Sequence, residues 1–486
     1  MARKITIEPV TRVEGHGKVT IKLDGENKVT QSRLHIVEFR GFERFVQGRP
    51  YWEAPVLVQR LCGICPVSHH LAAAKALDVV VGAGTGDGLT PTGEKMRRLM
   101  HYGQIFQSHA LHFFHLVSPD LLFGIDADPA IRNVIGVALK HKDLAVQGVM
   151  MRKYGQEIIE ATAGKKIHGT GAIPGGINKS LSVEERDGFL NGLNGNAMLT
   201  ADKMIEWSQS AVDFFKDYHK KNTELVDSFA AFPSNHLSLV RDDGALDLYH
   251  GVLRAVDADG NRILDDVDYQ EYLAHIAEEV RSWSYMKFPY ILPRGKQKGW
   301  YRVGPLARLN VCDFIPSPLA QKEFEIFKDY TKGKPNNMSL HYHWARLIET
   351  LHAAEMMKTL LEDQDLQSDN RVTTGKRQRE GVGLLEAPRG TLFHHYEVDE
   401  HDQIAMCNLI VSTTNNNEPM NRAVEWVARN MIEGTPEVNE GLLNAVEVAI
   451  RAYDPCLSCA THAIGKMPLE ITLVDAEGKV LDSGSK

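Results

Sequence analysis

The chain has little of what marks an exported, membrane-spanning or nucleic-acid-binding protein. Cysteine is scarce, six in 486 residues, too sparse for a disulfide scaffold in so long a chain. No run of roughly 18 apolar residues offers a membrane span, and the opening MARKITIEPV lacks the apolar core of a secretory signal. A cytoplasmic location is therefore expected, unless the chain travels bound to another protein that carries a signal. A basic excess is missing too: 55 Lys and Arg stand against 63 Asp and Glu, a net charge of −8. Nucleic acid and anionic membranes are thus not the default partners. Internal repeats and low-complexity tracts are absent. The GxG of GAGTGDG lacks a strand-to-helix context and reads as a loop, so no nicotinamide site is expected in this chain.

What is present suffices for a large buried core, since 43% of residues are hydrophobic. Short alternating runs, KITIEPVTRV, GKVTIKLD and VTQSRLHIVEF, punctuated by Asp24-Gly25, predict a small antiparallel sheet. From Pro55 onward the period lengthens. Helices are expected over Lys95 to Val117, Ala201 to Lys221, Tyr269 to Tyr285, Met338 to Leu361, Met420 to Ile432 and Glu440 to Ala452. The fold class is therefore α+β and helix-dominated, a bundle core of long helices with a small N-terminal antiparallel sheet. One domain is expected over 1–462, with 1–54 mostly β and 55–462 mostly helical. Beyond it, MPLEITLVDAEGKVLDS reads as two brief strands in an extension, 463–486.

Four of the six cysteines form two C-x-x-C pairs at opposite ends of the chain: Cys62 and Cys65 in RLCGICPVSHH, Cys456 and Cys459 in DPCLSCATH. A thiolate is a soft metal ligand and a nucleophile, and a two-residue gap lets both sulfurs of a pair face one centre. A thioredoxin-type redox pair needs only one such motif, beside a strand–helix–strand context that neither shows. Zinc ribbons usually hold their pairs close together, although a structural zinc clasp joining the chain's two ends stays open at this point. Two pairs closing on one metal centre is the better account. Cys312 and Cys407 have no cysteine at that spacing and read as small buried hydrophobes.

These motifs resemble the paired signatures of the large, catalytic subunit of nickel–iron hydrogenases. The resemblance runs nearly the full chain, through RVEGH, GFERFVQGR, SHALHFFHL, YRVGPLARLN, EAPRGTLFHHY and VSTTNNNEP. Its wording is most similar to the cytoplasmic NAD-reducing branch, with relatives that reduce a deazaflavin or pass electrons to a disulfide reductase as alternatives. The quinone-chamber subunit of complex I shares the ancestry but lacks the complete cysteine pairs.

The resemblance implies reversible heterolytic cleavage of H2 at a nickel–iron centre whose iron carries carbon monoxide and cyanide. Cys62 and Cys456 would be terminal nickel ligands, Cys65 and Cys459 bridges to iron. Glu14 matches the proton-relay carboxylate beside Cys456. Arg389 matches an arginine over the open nickel position, paired to Asp120 or Asp454. His69 matches a hydrogen-bond donor to a bridging sulfur, while Ser412 and the backbone around Pro388 match donors to the cyanides. Here Val411 and Thr414 depart from the family's common proline and tryptophan. Glu43, His462 and the Asn408 carbonyl match a second site for a hard cation, usually magnesium. His109, His112 and His115 lie on one helical flank and are read as packing and hydrogen-bonding residues rather than ligands. The four paired cysteines leave none for iron–sulfur clusters. The clusters, FMN and NAD would therefore sit in partners: diaphorase subunits, together with an iron–sulfur small subunit. By the same resemblance, nickel-insertion proteins load the centre and a maturation protease cuts after His462.

Overall fold

The computed structural model describes residues 3–83, 88–461, 470–474 and 480–485. The predicted N-terminal sheet is present. Strands β1 (Arg3–Ile7), β2 (Gly17–Leu23) and β3 (Val29–Ile36) lie antiparallel in the order β1-β2-β3. Asp24 closes the second turn, its Oδ1 accepting from the N–H groups of Glu26 (2.8 Å) and Lys28 (3.0 Å), as a short polar side chain does in such turns. Ile7, Val19, Ile21, Leu34 and Ile36 face the core. The opposite face carries Lys4, Lys18, Lys22 and Arg33, the alternation of a sheet wet on one side.

Helices form the body: α1 (Pro66–Val80), α2 (Pro91–Leu111), α3 (Lys142–Ala163), α4 (Ala201–Lys221), α5 (Pro305–Val311), α6 (His341–Leu361), α7 (Asn417–Val427) and α8 (Glu440–Arg451). Proline at the start and Thr90 Oγ1 accepting from Gly93 N (3.1 Å) fix the beginning of α2. Close approach of α2 and α3 depends on two glycines. A Cβ on Gly103 would lie 2.7 Å from Ile158 Cγ2, and one on Gly155 2.7 Å from the Gly103 carbonyl. Helix α6 is buried almost all round, at the centre of the body.

Three expectations need correction. The stretch from Tyr269 to Tyr285 is not a helix: a 3-10 turn (Tyr269–Ala274) leads into a strand (Ile276–Glu279) that pairs with Phe288–Ile291. The turn is capped by Asp268, and it leaves Leu273 exposed, so pairing with Phe288–Ile291 outweighed local helical periodicity. Second, the helix expected to reach Val117 ends as α-helix at Leu111 and continues as a π turn (His112–Val117); α7 likewise passes into one at Ala428–Ile432. Third, besides two short two-stranded pairings, the helical body contains two larger sheets that were not expected. One orders β7-β4-β5-β6, from β4 (Asn235–Val240), β5 (Val252–Val256), β6 (Arg262–Val267) and β7 (Tyr301–Arg302). The other is an antiparallel meander of β8 (Glu380–Ala387), β9 (Gly390–Val398) and β10 (Ile404–Ile410). Strands β4, β8 and β9 are buried on both faces, which removes the alternation that makes a strand legible.

Helix α1 lies directly on β8. A Cβ on Gly383 would meet the Ala72 carbonyl at 2.0 Å, and one on Gly381 the Ala76 carbonyl at 2.1 Å. The two run in opposite directions, so the start of α1, capped by Cys65, comes to the end of β8 where Pro388 and Arg389 turn into β9. The tail residues Glu470–Val474 and Val480–Ser485 pair antiparallel, the two strands expected there.

Candidate metal centre

The chain's two ends meet at the cysteines. Glu14 and Cys456 form a parallel bridge, and Leu457 N donates to the Glu14 carbonyl at 3.0 Å. Gly15 makes this approach possible: its φ is +82°, and a Cβ there would sit 2.8 Å from Ser458 N. The RVEGH glycine is thus a condition for closing the site.

All four paired cysteines are buried, and none is in a disulfide. Their sulfurs lie within 4.8 Å of one another. Cys62 Sγ is 3.2 Å from Cys456 and 3.1 Å from Cys65, Cys65 is 3.7 Å from Cys459, and Cys456 is 2.8 Å from Cys459. Thiolates bound to one ion at about 2.3 Å stand roughly this far apart. Burial raises the cost of thiolate charge here, yet the neighbouring thiols of Cys456, Cys459 and Cys65, with Arg389, hold the Cys62 pKa well below its usual value. Burial, together with the thiols of Cys62 and Cys65, drives Cys456 and Cys459 well above theirs. Protein groups alone therefore do not stabilise four thiolates together; a bound cation does.

Two charged residues flank the sulfurs. Cys456 Sγ donates to Glu14 Oε2 at 3.0 Å, and Ser458 N donates to the same oxygen at 3.1 Å. Arg389 is buried, its Nε donating to the Asp454 carbonyl and Nη2 to Asp454 Oδ1 at 3.1 Å. Burial opposes its charge, but Asp454 and the cysteines 456, 65 and 62 hold its pKa well above the ordinary arginine value. Its Nη1 is buried with no hydrogen-bond partner among the described residues. An unpaired buried donor beside four sulfurs fits a polar or anionic ligand at the same centre.

The other expected residues are placed as follows. Asp120 does not pair with Arg389. It accepts from Arg12 Nη2 (2.5 Å) and Arg451 Nη1 (2.6 Å), because the turn after α2 carries it towards α8. His69, on α1, meets His394 (Nδ1 to Nε2, 3.1 Å), which meets the Tyr396 hydroxyl at 2.8 Å. Pro388 contributes its carbonyl to Arg308 Nη2 at 3.4 Å. Ser412 is buried at the start of a short helix (Ser412–Asn415). Glu43 Oε1 accepts from Leu409 N at 2.9 Å, so the carboxylate reaches the strand that carries Asn408. Asn408 itself donates from Nδ2 to the Tyr272 hydroxyl at 2.6 Å. His462 lies outside the described residues. His109 bonds Glu349 (3.0 Å), and His112 the Arg451 carbonyl (2.8 Å).

Sequence reasoning missed Thr413, whose Oγ1 accepts from Cys456 N at 2.9 Å, and the His394–Tyr396 pair behind His69. The period of two in FHHY places 394 and 396 on one strand face, and that signal was available. A second cluster, His219, Asp227 and His341, has metal-ligand spacing. Asn336 decides against it. Its Oδ1 is taken by Met338 N and its Nδ2 donates to His341 Nδ1 (2.7 Å). His341 therefore carries its proton on Nε2 and donates to Asp227 (3.1 Å).

Residues 40–132 and 145–462 match the family model described as nickel-dependent hydrogenase, and residues 4–39 match a model described as HoxL-like. The chain belongs to the nickel-dependent hydrogenase family. It is 54% identical to the NAD-reducing hydrogenase HoxS subunit beta of Cupriavidus necator, over all of both chains. It is 44% identical to a chain of the vhc F420-non-reducing hydrogenase of Methanococcus voltae, over 98% of each. Among solved structures, an NAD+-reducing [NiFe]-hydrogenase in the H2-reduced state superposes with a TM-score of 0.90 at 53% identity, covering 95% of this chain and 99% of that one. The [NiFeSe]-hydrogenase of Dm. baculatum, at 22% identity and a TM-score of 0.72 over 95% of this chain and 100% of that one, shares the fold. Membership of a nickel-dependent family favours a nickel-containing centre over the zinc clasp that spacing had left open. A nickel–iron centre with carbon monoxide and cyanide on iron fits the donor set, with four sulfurs for the metals and an unpaired buried guanidinium N–H for a polar ligand.

Proposed function

We propose that this chain is the catalytic subunit of an NAD-reducing hydrogenase. It splits H2 into two protons and two electrons, the electrons passing to an iron–sulfur partner and on to NAD+ in a further subunit. The carrying observation is the buried four-sulfur set closed by Glu14 and Arg389, in a chain 54% identical to a hydrogenase named as NAD-reducing. When bound, the nickel–iron pair supplies the Lewis acid and the electron acceptor for heterolytic cleavage.

The chain's own residues handle the proton and the charge. Cys62, Cys65, Cys456 and Cys459 would hold the metals, with Cys65 and Cys459 in the bridging role that the family resemblance implies. A proton taken up on Cys456 Sγ would lie 3.0 Å from Glu14 Oε2, within range for direct transfer to the carboxylate. Asp454 fixes the Arg389 guanidinium by two bonds, leaving Nη1 unpartnered, where it would serve a ligand bound at the metal centre. His69, with His394 and Tyr396 behind it, would donate to one of the metal-bound sulfurs, and Ser412 and the Pro388 backbone would serve the cyanides. Glu43, the Asn408 carbonyl and His462 would hold the magnesium ion that the family resemblance implies.

An infrared spectrum of the purified complex, with hydrogen-dependent NAD+ reduction on the same sample, tests this reading. Carbon monoxide and cyanide bands with NADH formation are expected. Active, matured enzyme without the bands would overturn the centre. The 44% identical F420-non-reducing relative favours a second reading of the acceptor alone: bands present, hydrogen oxidised with an artificial acceptor, and NAD+ left untouched. We further propose that residues 463–486 are removed on maturation. The family match ends at residue 462, which supports this cut.

A further inference from the structure

The outer face of the N-terminal sheet carries charge of one sign, Lys4, Lys18, Lys22 and Arg33. In β1 and β2, Lys4 stands directly opposite Lys22; in β2 and β3, Thr20 stands opposite Arg33 and Lys18 opposite His35. Like charges facing each other across strands are destabilising. Beside them the loop carrying Arg281 and Trp283 forms the wall of an open groove of about 630 Å³ that no carboxylate lines. Lys18 is neutralised by Glu8 (2.8 Å), and Arg281 by Glu279 and Glu418. Lys4, Lys22 and Arg33 have no carboxylate within ion-pair distance among the described residues, in a chain with an acidic excess. Arg33 instead lies over the Trp283 ring, 5.0 Å from its centroid.

We propose that this groove is the docking surface for an acidic face of a partner subunit. The inference rests on the reading of the chain as one member of a multisubunit hydrogenase and names a contact of that assembly. Its cations stand in rows on a flat sheet rather than around one point, with strands about 4.8 Å apart and alternate residues about 6.8 Å apart along them. That layout matches carboxylates spread over a protein surface better than a single phosphate, which is held by donors converging on one centre. An acidic partner surface relieves the Lys4–Lys22 repulsion, which a solvated face leaves in place. The cationic side of the groove lies within residues 4–39, the segment that matches a family model of its own.

Amine footprinting tests the contact. The assembled hydrogen-oxidising complex and the separated full chain are acetylated and read by mass spectrometry. Lys4 and Lys22 should react about tenfold more slowly in the complex, and carbodiimide should join them to Asp or Glu of another subunit. Equal labelling in both samples would overturn the proposal. Protection of the separated chain by inorganic phosphate, with the complex adding none, would assign the groove to a free anion and overturn it equally. Reversing charge in Lys22→Glu with Arg33→Glu should make the complex dissociate at lower salt, while the Lys22→Gln with Arg33→Gln pair is intermediate. Exchange between H2 and D2O in the same samples reports the metal centre, so a docking failure with exchange intact leaves the hydrogenase reading standing.

Discussion

Single atoms decide the chemistry at the cysteine cluster. Serine in place of Cys62, Cys65, Cys456 or Cys459 substitutes a harder, more basic oxygen for a soft sulfur, so hydrogen turnover should vanish in each variant. Elemental analysis for nickel and iron alongside the rate separates lost metal from lost chemistry. Glu14→Gln keeps the hydrogen bond from Ser458 N but removes the titratable site. Metal content should stay normal while turnover falls by about 10² to 10⁴. A parallel fall in both would make Glu14 an assembly residue, since its backbone also bridges to Cys456.

Elements place these atoms, and the packing of α1 on β8 is a tight constraint among them. Gly383→Ala puts a methyl against the Ala72 carbonyl. Helix and strand must separate, which should cost about 1–3 kcal/mol and displace Cys65 from the other sulfurs. Thermal unfolding and nickel content measured together check this, with both expected to drop. At this scale the sequence was read unevenly. Helix α4 was legible to the residue at Ala201 and Lys221 because its apolar stripe faces the core on one side only. Strands β8 and β9 were not, because burial on both faces leaves a continuous apolar run without a period.

Across the whole molecule, a buried ion network joins α2, α5, α6 and β8. Arg308 donates to Glu349 (2.6 Å) and Glu386 (2.9 Å), and His109 bonds Glu349 (3.0 Å). Burial opposes the Glu349 charge, but Arg308 and His109 outweigh it and lower its pKa from 4.5 to about 2. A carboxyl depressed in the folded state adds stability above its unfolded pKa and loses it as pH falls through the folded one. Stability should therefore drop between pH 4.5 and 2. Urea unfolding across that window should show a flatter dependence in Glu349→Gln, which is also less stable at neutral pH because it leaves Arg308 under-paired. Maturation belongs to this scale as well: intact mass of active enzyme should place the chain end at His462, and full activity with Lys486 retained would contradict the cut.

The sequence by itself determined which residues could make the site, while spacing left zinc open and only the family resemblance pointed to nickel and iron. The spacing of two C-x-x-C pairs, and the motifs RVEGH and EAPRG around Glu14 and Arg389, are local facts carried by adjacent residues. The N-terminal sheet and the long helices were equally local, because period and turn chemistry act over a few residues. Only the tertiary structure decided which partners those residues meet. Asp454 rather than Asp120 holds Arg389, Thr413 anchors the Cys456 backbone, and Glu349 reaches His109 from another helix. The physical reason is chain separation. Contacts between residues hundreds of positions apart depend on how whole elements pack, and no window of sequence carries that information.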